Sequence, residues 1–259
     1  MHALDDQRMD ELHSLCGLKS ASAGLPGLSV HGPEILDKDI CRDILNEVGR
    51  LLGSRSRKIT ASLLSKRIAF LTTSAALYPM SAYNDGLDLS LENCVIDYSH
   101  DSKRWQSSMY LYNLEAILPA PGARETWRED VCRRLFSDNL ARLWQALHEA
   151  SGVTLSILWE NTAVRVYSLY ERRLMTIGNI NTARQIREDF AYLTTEADGD
   201  LFDCKDNPIQ RFYFDKTPAG EREIRYRKTC CYYYLTPPQE YCSTCPLLLP
   251  SGKKRKCSN

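Results

Sequence analysis

Histidine is scarce: five residues in 259, at positions 2, 13, 31, 100 and 148, with no i, i+4 pair and no HExxH spacing. The commonest zinc-hydrolase signature is therefore excluded. Thirteen glycines form neither a GxGxxG fingerprint nor a GxxxxGK(S/T) loop, so no cradle for nucleotide phosphates is written in the chain. The run GLSVHG around Ser29 falls short of a GxSxG nucleophile elbow. Neither sign of charge is in excess: 33 Lys and Arg balance 33 Asp and Glu, which predicts no nucleic-acid partner from the whole-chain field. Long apolar runs are absent too. The longest weakly polar stretch, Ile68 to Tyr83, is broken by Thr72, Thr73, Ser74, Pro79 and Ser81, short of the roughly 18 apolar residues of a span. The opening run MHALDDQRMDELH is charged and carries no apolar core of a secretory leader. These features predict a cytoplasmic protein with no integral membrane span, loose membrane association being left open.

What the chain does have is cysteine, ten residues in all. In a reducing compartment, clustered thiols mean metal or redox chemistry more often than crosslinks. Six of them, at 16, 41, 94, 132, 204 and 257, are scattered and read as small buried hydrophobes, Cys257 as a tail thiol. The other four stand close together near the end: Cys230 and Cys231 side by side, then Cys242 and Cys245 in YCSTCPLLLP.

The fold class predicted is α+β: a helix-rich body with a small antiparallel sheet and an irregular C-terminal module. Residues 1–36 read as a polar start and a connector, KSASAGLPGLSVHGP, too rich in Gly, Pro and Ser for regular structure. From Asp37, the spacing of Ile40, Ile44, Leu45, Val48, Leu51 and Leu52 predicts an amphipathic helix capped by Asp37 and ended by Gly53. A more apolar helix is predicted from Ile59 to about Leu77, stopping before Pro79. Alternation at Cys94, Ile96 and Tyr98, and again at Tyr110, Tyr112 and Leu114, predicts two strands. Helical periodicity returns from Pro121 to Gly152, from about Val153 to Leu174, and from Thr182 to about Thr195. The boundary is drawn at 210: a helical body over 1–210 and a cysteine module over 211–259. From Arg211 onward ten Lys or Arg face four Asp or Glu, so the cysteine-bearing end is locally cationic.

Four soft, anionic ligands on two short segments suit either structural zinc or an iron-sulfur cluster. In extended backbone the adjacent Cys230 and Cys231 point to opposite faces, which disfavours convergence on one ion and is better tolerated by a two-iron cluster. Pro246 directly after Cys245 also ends ferredoxin-type runs.

The run RKTCCYYYLTPPQEYCSTCPLLLP, with its C-C-x10-C-x2-C spacing, resembles the end of the bacterial ferric-siderophore reductases of the FhuF type. Arg227 before the pair, Tyr234 after it, and Cys245-Pro246-Leu247 match in kind, as does the segment Trp159, Glu160, Asn161 farther upstream. The resemblance implies a 2Fe-2S cluster on Cys230, Cys231, Cys242 and Cys245, and an oxidoreductase that passes one electron to ferric iron in a siderophore, commonly a hydroxamate, releasing Fe(II). Such chemistry requires no catalytic acid, base or nucleophile, and none is assigned. Arg165, Tyr232 and Tyr234 are the expected substrate contacts. A ferredoxin- or flavodoxin-type donor is expected to dock on Arg225, Arg227 and Lys228. The alternative from another class is a zinc-stapled interaction module whose KKRK tail, at 253–256, contacts nucleic acid or an acidic protein. A third, ligase activity through distant kinship in fold with siderophore-assembly enzymes, is opposed by the missing phosphate-binding signals.

Overall fold

The computed structural model describes residues 1–101 and 103–249. At its centre lies helix α3, Arg57–Tyr83, buried on almost every side from Thr60 to Ser81. Its surface alternates Leu, Ile and Met with Ala, Ser and Thr, and the small residues let neighbouring helices approach closely. Inward-facing hydroxyls are satisfied within the helix: Thr72 donates to the carbonyl of Ile68 at 2.9 Å and Thr73 to that of Ala69 at 2.5 Å. Helices α1 (Asp6–Cys16), α2 (Lys38–Leu52), α4 (Arg124–Leu135), α5 (Arg142–Ser151), α6 (Leu155–Ser168) and α7 (Ile180–Ala191) pack around α3, with α6 its most extensive partner.

The second helix of the sequence prediction is thus longer than expected, because Pro79 lies inside it. A proline removes one backbone donor, but the turn that follows is held from outside. Ser81 is fully buried; its hydroxyl donates to Asp189 on α7 at 2.8 Å and lies 2.8 Å from the Tyr170 hydroxyl. Asp189 in turn receives both guanidinium nitrogens of Arg124 at 2.8 Å. The helix ends only at Asn84, in the left-handed conformation.

Helix α2 follows the expected capping chemistry. The Asp37 carboxylate accepts the N–H groups of Asp39 and Ile40 at 2.9 and 3.0 Å, and Gly53 ends the helix at φ 61°. Ile40, placed on the apolar stripe by spacing, is exposed in the first turn.

The sheet has four strands, in the order β1, β4, β3, β2. Strands β3 (Cys94–Asp97) and β4 (Met109–Leu111) form the expected antiparallel pair, Val95 opposite Tyr110. The edges were not expected: β1 (Lys19–Ser20) runs parallel to β4, and β2 (Ser29–His31) antiparallel to β3. The first 36 residues, read as a connector without regular structure, hold these edges, α1 and two short 3-10 turns. The three long helical stretches after residue 121 each contain a widened π turn, at Phe136–Ala141, Leu169–Arg173 and Tyr192–Glu196.

After the short helix α8 (Pro208–Phe212), the hairpin β5 (Thr217–Ala219) and β6 (Arg222–Ile224) turns at Gly220, φ 64°. The chain then becomes irregular and lies against α3 and α6, with the cysteines on this stretch. Among the described residues, no helix is long and apolar enough to cross a membrane.

Candidate metal centre and the pocket beside it

The first cysteine doublet is held by the ends of two buried hydrogen-bond chains. One begins at Glu160 on α6, which is 1% exposed. Its carboxylate accepts the backbone N–H groups of Lys228 and Thr229 at 2.6 and 2.8 Å, takes the Thr229 hydroxyl as well, and pairs with Arg227 at 3.5 Å. The other begins at Asn161, whose amide nitrogen donates to the Ser62 carbonyl at 2.9 Å and the Ser65 hydroxyl at 2.8 Å. Ser62 then donates its own hydroxyl to the Cys231 carbonyl at 3.0 Å. Adjacent residues of α6 thus grip the chain just before Cys230 and, through α3, at Cys231. Asn161→Ala is expected to cost about 1–3 kcal/mol in urea unfolding, since Ser62 and Ser65 lose a buried partner.

The second doublet is brought to the first by backbone. Arg227 donates its N–H to the carbonyl of Thr244, between Cys242 and Cys245, at 2.9 Å. A turn closes the second doublet, Cys245 N–H to Cys242 carbonyl at 2.9 Å. The outcome is a sulfur-sulfur contact of 3.5 Å between Cys231 and Cys242. Cys230 receives the Tyr232 N–H at 3.4 Å, made possible by the left-handed conformation of Tyr232, φ 61°. Cys230 and Cys245 are not drawn in with the touching pair: among the described residues no three Cys, His, Asp or Glu side chains are gathered as for a single ion. All four nevertheless sit on two segments that meet at the Cys231–Cys242 contact.

The electrostatics separate this pair from the other thiols. Burial pushes Cys16 up to about 12 and both Cys41 and Cys204 up to about 11, and drives Cys94 and Cys132 upward as well. Cys16, Cys41, Cys94 and Cys132 are the buried hydrophobes expected, and Cys204 is half-buried. Cys257 and the KKRK tail lie outside the described residues. Cys231 moves the other way, down to about 4: the hydrogen bond from Cys242 is the largest cause, and Lys66 and Arg227 add positive charge against the opposing effect of burial. Cys242, which keeps the shared proton, is raised. Lys66 Nζ stands 3.6 Å from the Cys231 sulfur. A thiol beside Lys66 and the buried Arg227, with three further thiols one to fourteen residues along the chain, fits the all-cysteine donor set of a 2Fe-2S cluster.

Lys66 also faces a cavity of about 490 Å³, a volume suited to a small-molecule ligand. Its walls are Lys66, Arg67 and Phe70 of α3, Arg165 of α6, and the loop carrying Lys103, Arg104 and Trp105; Tyr233 and Pro237 close it from the cysteine segment. The Phe70 ring lies under three guanidinium groups, Arg67 at 5.3 Å and Arg165 and Arg173 at 5.6 Å, and Lys66 lies over Tyr233 at 5.0 Å. A second groove of about 500 Å³ lies on the other side of Arg165, between Ser243 and Thr244 and the β5–β6 hairpin.

The residues expected from sequence take distinct places. Arg165 lines both cavities and donates to the Lys66 carbonyl at 3.3 Å. Of the three consecutive tyrosines, Tyr233 faces the first pocket; Tyr232 packs against the core with Lys58 above its ring, and Tyr234 stands beside Tyr241. Arg227, expected on the surface, has 1% of its side chain exposed, because its charge answers Glu160. Arg225 is clamped between Tyr167 and Tyr213 and paired with Glu171 at 2.9 Å. Lys228 reaches the Arg211 carbonyl at 3.0 Å. Lys66, Arg67, Phe70 and Trp105 were not singled out in the sequence, where nothing local distinguishes them from ordinary helix and loop residues.

Comparison with known families agrees with the cysteine spacing. A family model described as "Ferric iron reductase FhuF-like transporter" matches residues 62–215, more than half of the chain. A second, described as "FhuF 2Fe-2S C-terminal domain", matches residues 227–247 and takes in all four clustered cysteines. No curated protein matches the chain. The chain belongs to the FhuF-type ferric-siderophore reductase family, oxidoreductases with a C-terminal 2Fe-2S domain.

Proposed function

We propose that the protein reduces ferric iron in a siderophore by one electron and so releases it as Fe(II), with Cys230, Cys231, Cys242 and Cys245 holding the 2Fe-2S cluster. The observation that carries this reading is the 3.5 Å contact between Cys231 and Cys242 beside a cation-lined cavity, with Lys66 shared by both. A cluster of this type supplies one electron at a time. Hard ferric iron is gripped by anionic oxygen donors, and ferrous iron far more weakly, so a single electron makes the chelate labile.

The chain's own residues have three tasks in this scheme. Glu160, Asn161 and Ser62 fix the first doublet. Tyr233 and Pro237 cover the cysteine side of the pocket and limit water there. Lys66, Arg67 and Arg165 hold the chelate, which the family resemblance suggests is a hydroxamate. Tyr232 and Tyr234, expected as chelate contacts, are given supporting places behind Tyr233. The body over 1–210 and the module over 211–259 are proposed as working parts, the pocket lying where they meet.

A ferredoxin- or flavodoxin-type donor is placed at the second groove, where Arg172 and Arg222 are exposed and Ser243 and Thr244 bring the second doublet close. Of the expected docking set, Arg225 lines this groove but is paired with Glu171, Arg227 is buried and Lys228 reaches the Arg211 carbonyl instead, so the contact is given to Arg172 and Arg222. Anaerobic addition of a ferric siderophore to the reduced, bleached protein should restore its visible absorbance. If no ferric chelate does so, the reading fails.

A further inference from the structure

The charge of the first pocket carries more than a place to bind. Lys66, Arg67, Lys103, Arg104 and Arg165 all line it, and among the described residues no Asp or Glu does. Among the described residues, Lys66, Arg67 and Arg165 have no carboxylate within ion-pair distance. Arg104 reaches Asp101 only at 4.0 Å, with 83% of its side chain exposed. Elsewhere the chain neutralises its inward cations: Arg124 and Arg128 share Asp189, Arg227 has Glu160, and Arg225 has Glu171. Among the described residues, Lys66, Arg67 and Arg165 differ from these in a chain of zero net charge.

Part of that charge belongs to the thiolates. Lys66 sits at the Cys231 sulfur, and Arg227 acts on it through space. Arg67, Lys103 and Arg104 do not touch the cysteines. Arg67 is oriented across the cavity wall by Ser107, receiving its Nε–H at 2.8 Å, and rests on Phe70. An array of cations with an aromatic floor and no carboxylate in its described wall is built for an anion with flat, polarisable or hydrocarbon surface.

Three hydroxamates neutralise Fe(III) and give an uncharged chelate; three catecholates, or hydroxamates joined to a carboxylate-rich backbone, leave net negative charge. We infer that this pocket selects ferric chelates of net negative charge over neutral tris-hydroxamates. The inference rests on reading the cavity as the chelate's seat.

Gallium(III) forms chelates of the same charge and shape as Fe(III) but is not reduced, so binding can be read apart from electron transfer. Calorimetric titration of the intact protein with the Ga(III) complexes of a neutral tris-hydroxamate, a citrate-derived hydroxamate and a tris-catecholate should rank both anionic chelates above the neutral one by about tenfold or more. That preference should shrink as salt is raised. The citrate and catecholate arms show which anionic class fits best. Lys66→Gln and Arg165→Gln should weaken the anionic complexes by more than the neutral one, so that the preference shrinks. The exposed pair Lys103→Gln and Arg104→Gln gives a second test that does not touch the interior.

Equal or tighter binding of the neutral chelate, or a preference insensitive to salt, would overturn the inference. So would metal-free citrate binding as tightly as its Ga(III) chelate, because the pocket would then be a plain anion site. Tight binding of anionic Ga(III) chelates without reduction of the Fe(III) forms would instead defeat the reductase reading and leave the charge selection standing.

Discussion

Glu160→Ala is expected to destabilise the protein by about 3–5 kcal/mol, since it leaves a buried charge without its partner. Arg227 would remain inside with 1% of its side chain exposed, and the N–H groups of Lys228 and Thr229 would lose their acceptor. The damage falls on the three residues before Cys230, so iron content should drop with stability. A double replacement, Glu160→Met with Arg227→Met, removes both charges and should recover part of the loss, because an apolar pair avoids the desolvation penalty. Urea unfolding of the two variants beside the wild type, with iron analysis on each, measures both effects. A loss below about 1 kcal/mol in the single variant would mean that Arg227 finds water or another partner, and that Glu160 does not fix the doublet.

The second large effect is chemical. Cys231→Ser and Cys242→Ser should each remove most of the iron, the acid-labile sulfide and the visible absorbance, because a hard, protonated hydroxyl is a poor substitute for a thiolate. Cys245→Ser and Cys230→Ser are expected to follow. Cys204→Ser is the contrast: its half-buried thiol lies apart from the quartet and is held protonated by burial, so iron and colour should stay. Full iron retention in Cys231→Ser would remove that sulfur from the ligand set.

Much of this centre is legible in the sequence because its ligands are close together along the chain. The spacing of Cys230, Cys231, Cys242 and Cys245 can be read without knowing the fold, and so can the Asp37 cap, the Gly53 stop and the β3–β4 pair, all set within fewer than twenty residues of chain. What holds and surrounds the cysteines is not local. Glu160 lies 68 residues from Lys228, and Lys66 lies 165 from Cys231, so no spacing rule links them. The burial of Arg227 is hidden for the same reason: in sequence it belongs to a cationic run, in the fold to a buried ion pair. Net charge conceals the pocket, since cations paired elsewhere cancel in the sum while, among the described residues, Lys66, Arg67 and Arg165 have no carboxylate within ion-pair distance. Pro79 misleads because what carries the helix past it, the contacts of Ser81 with Asp189 and Tyr170, comes from residues about ninety or more positions away. The edge strands β1 and β2 are two and three residues long, too short to leave a period in a stretch of Ser, Gly and Pro.

The central claim is that one electron passes from the four-cysteine site to chelated Fe(III). Its most direct test is a single-turnover count: anaerobically reduced protein, freed of excess reductant, is mixed with ferric siderophore, and Fe(II) is captured by a colour-forming chelator. The account predicts about one Fe(II) per reduced wild-type chain and almost none from Cys231→Ser. Equal Fe(II) from both proteins, or none from either, would contradict it.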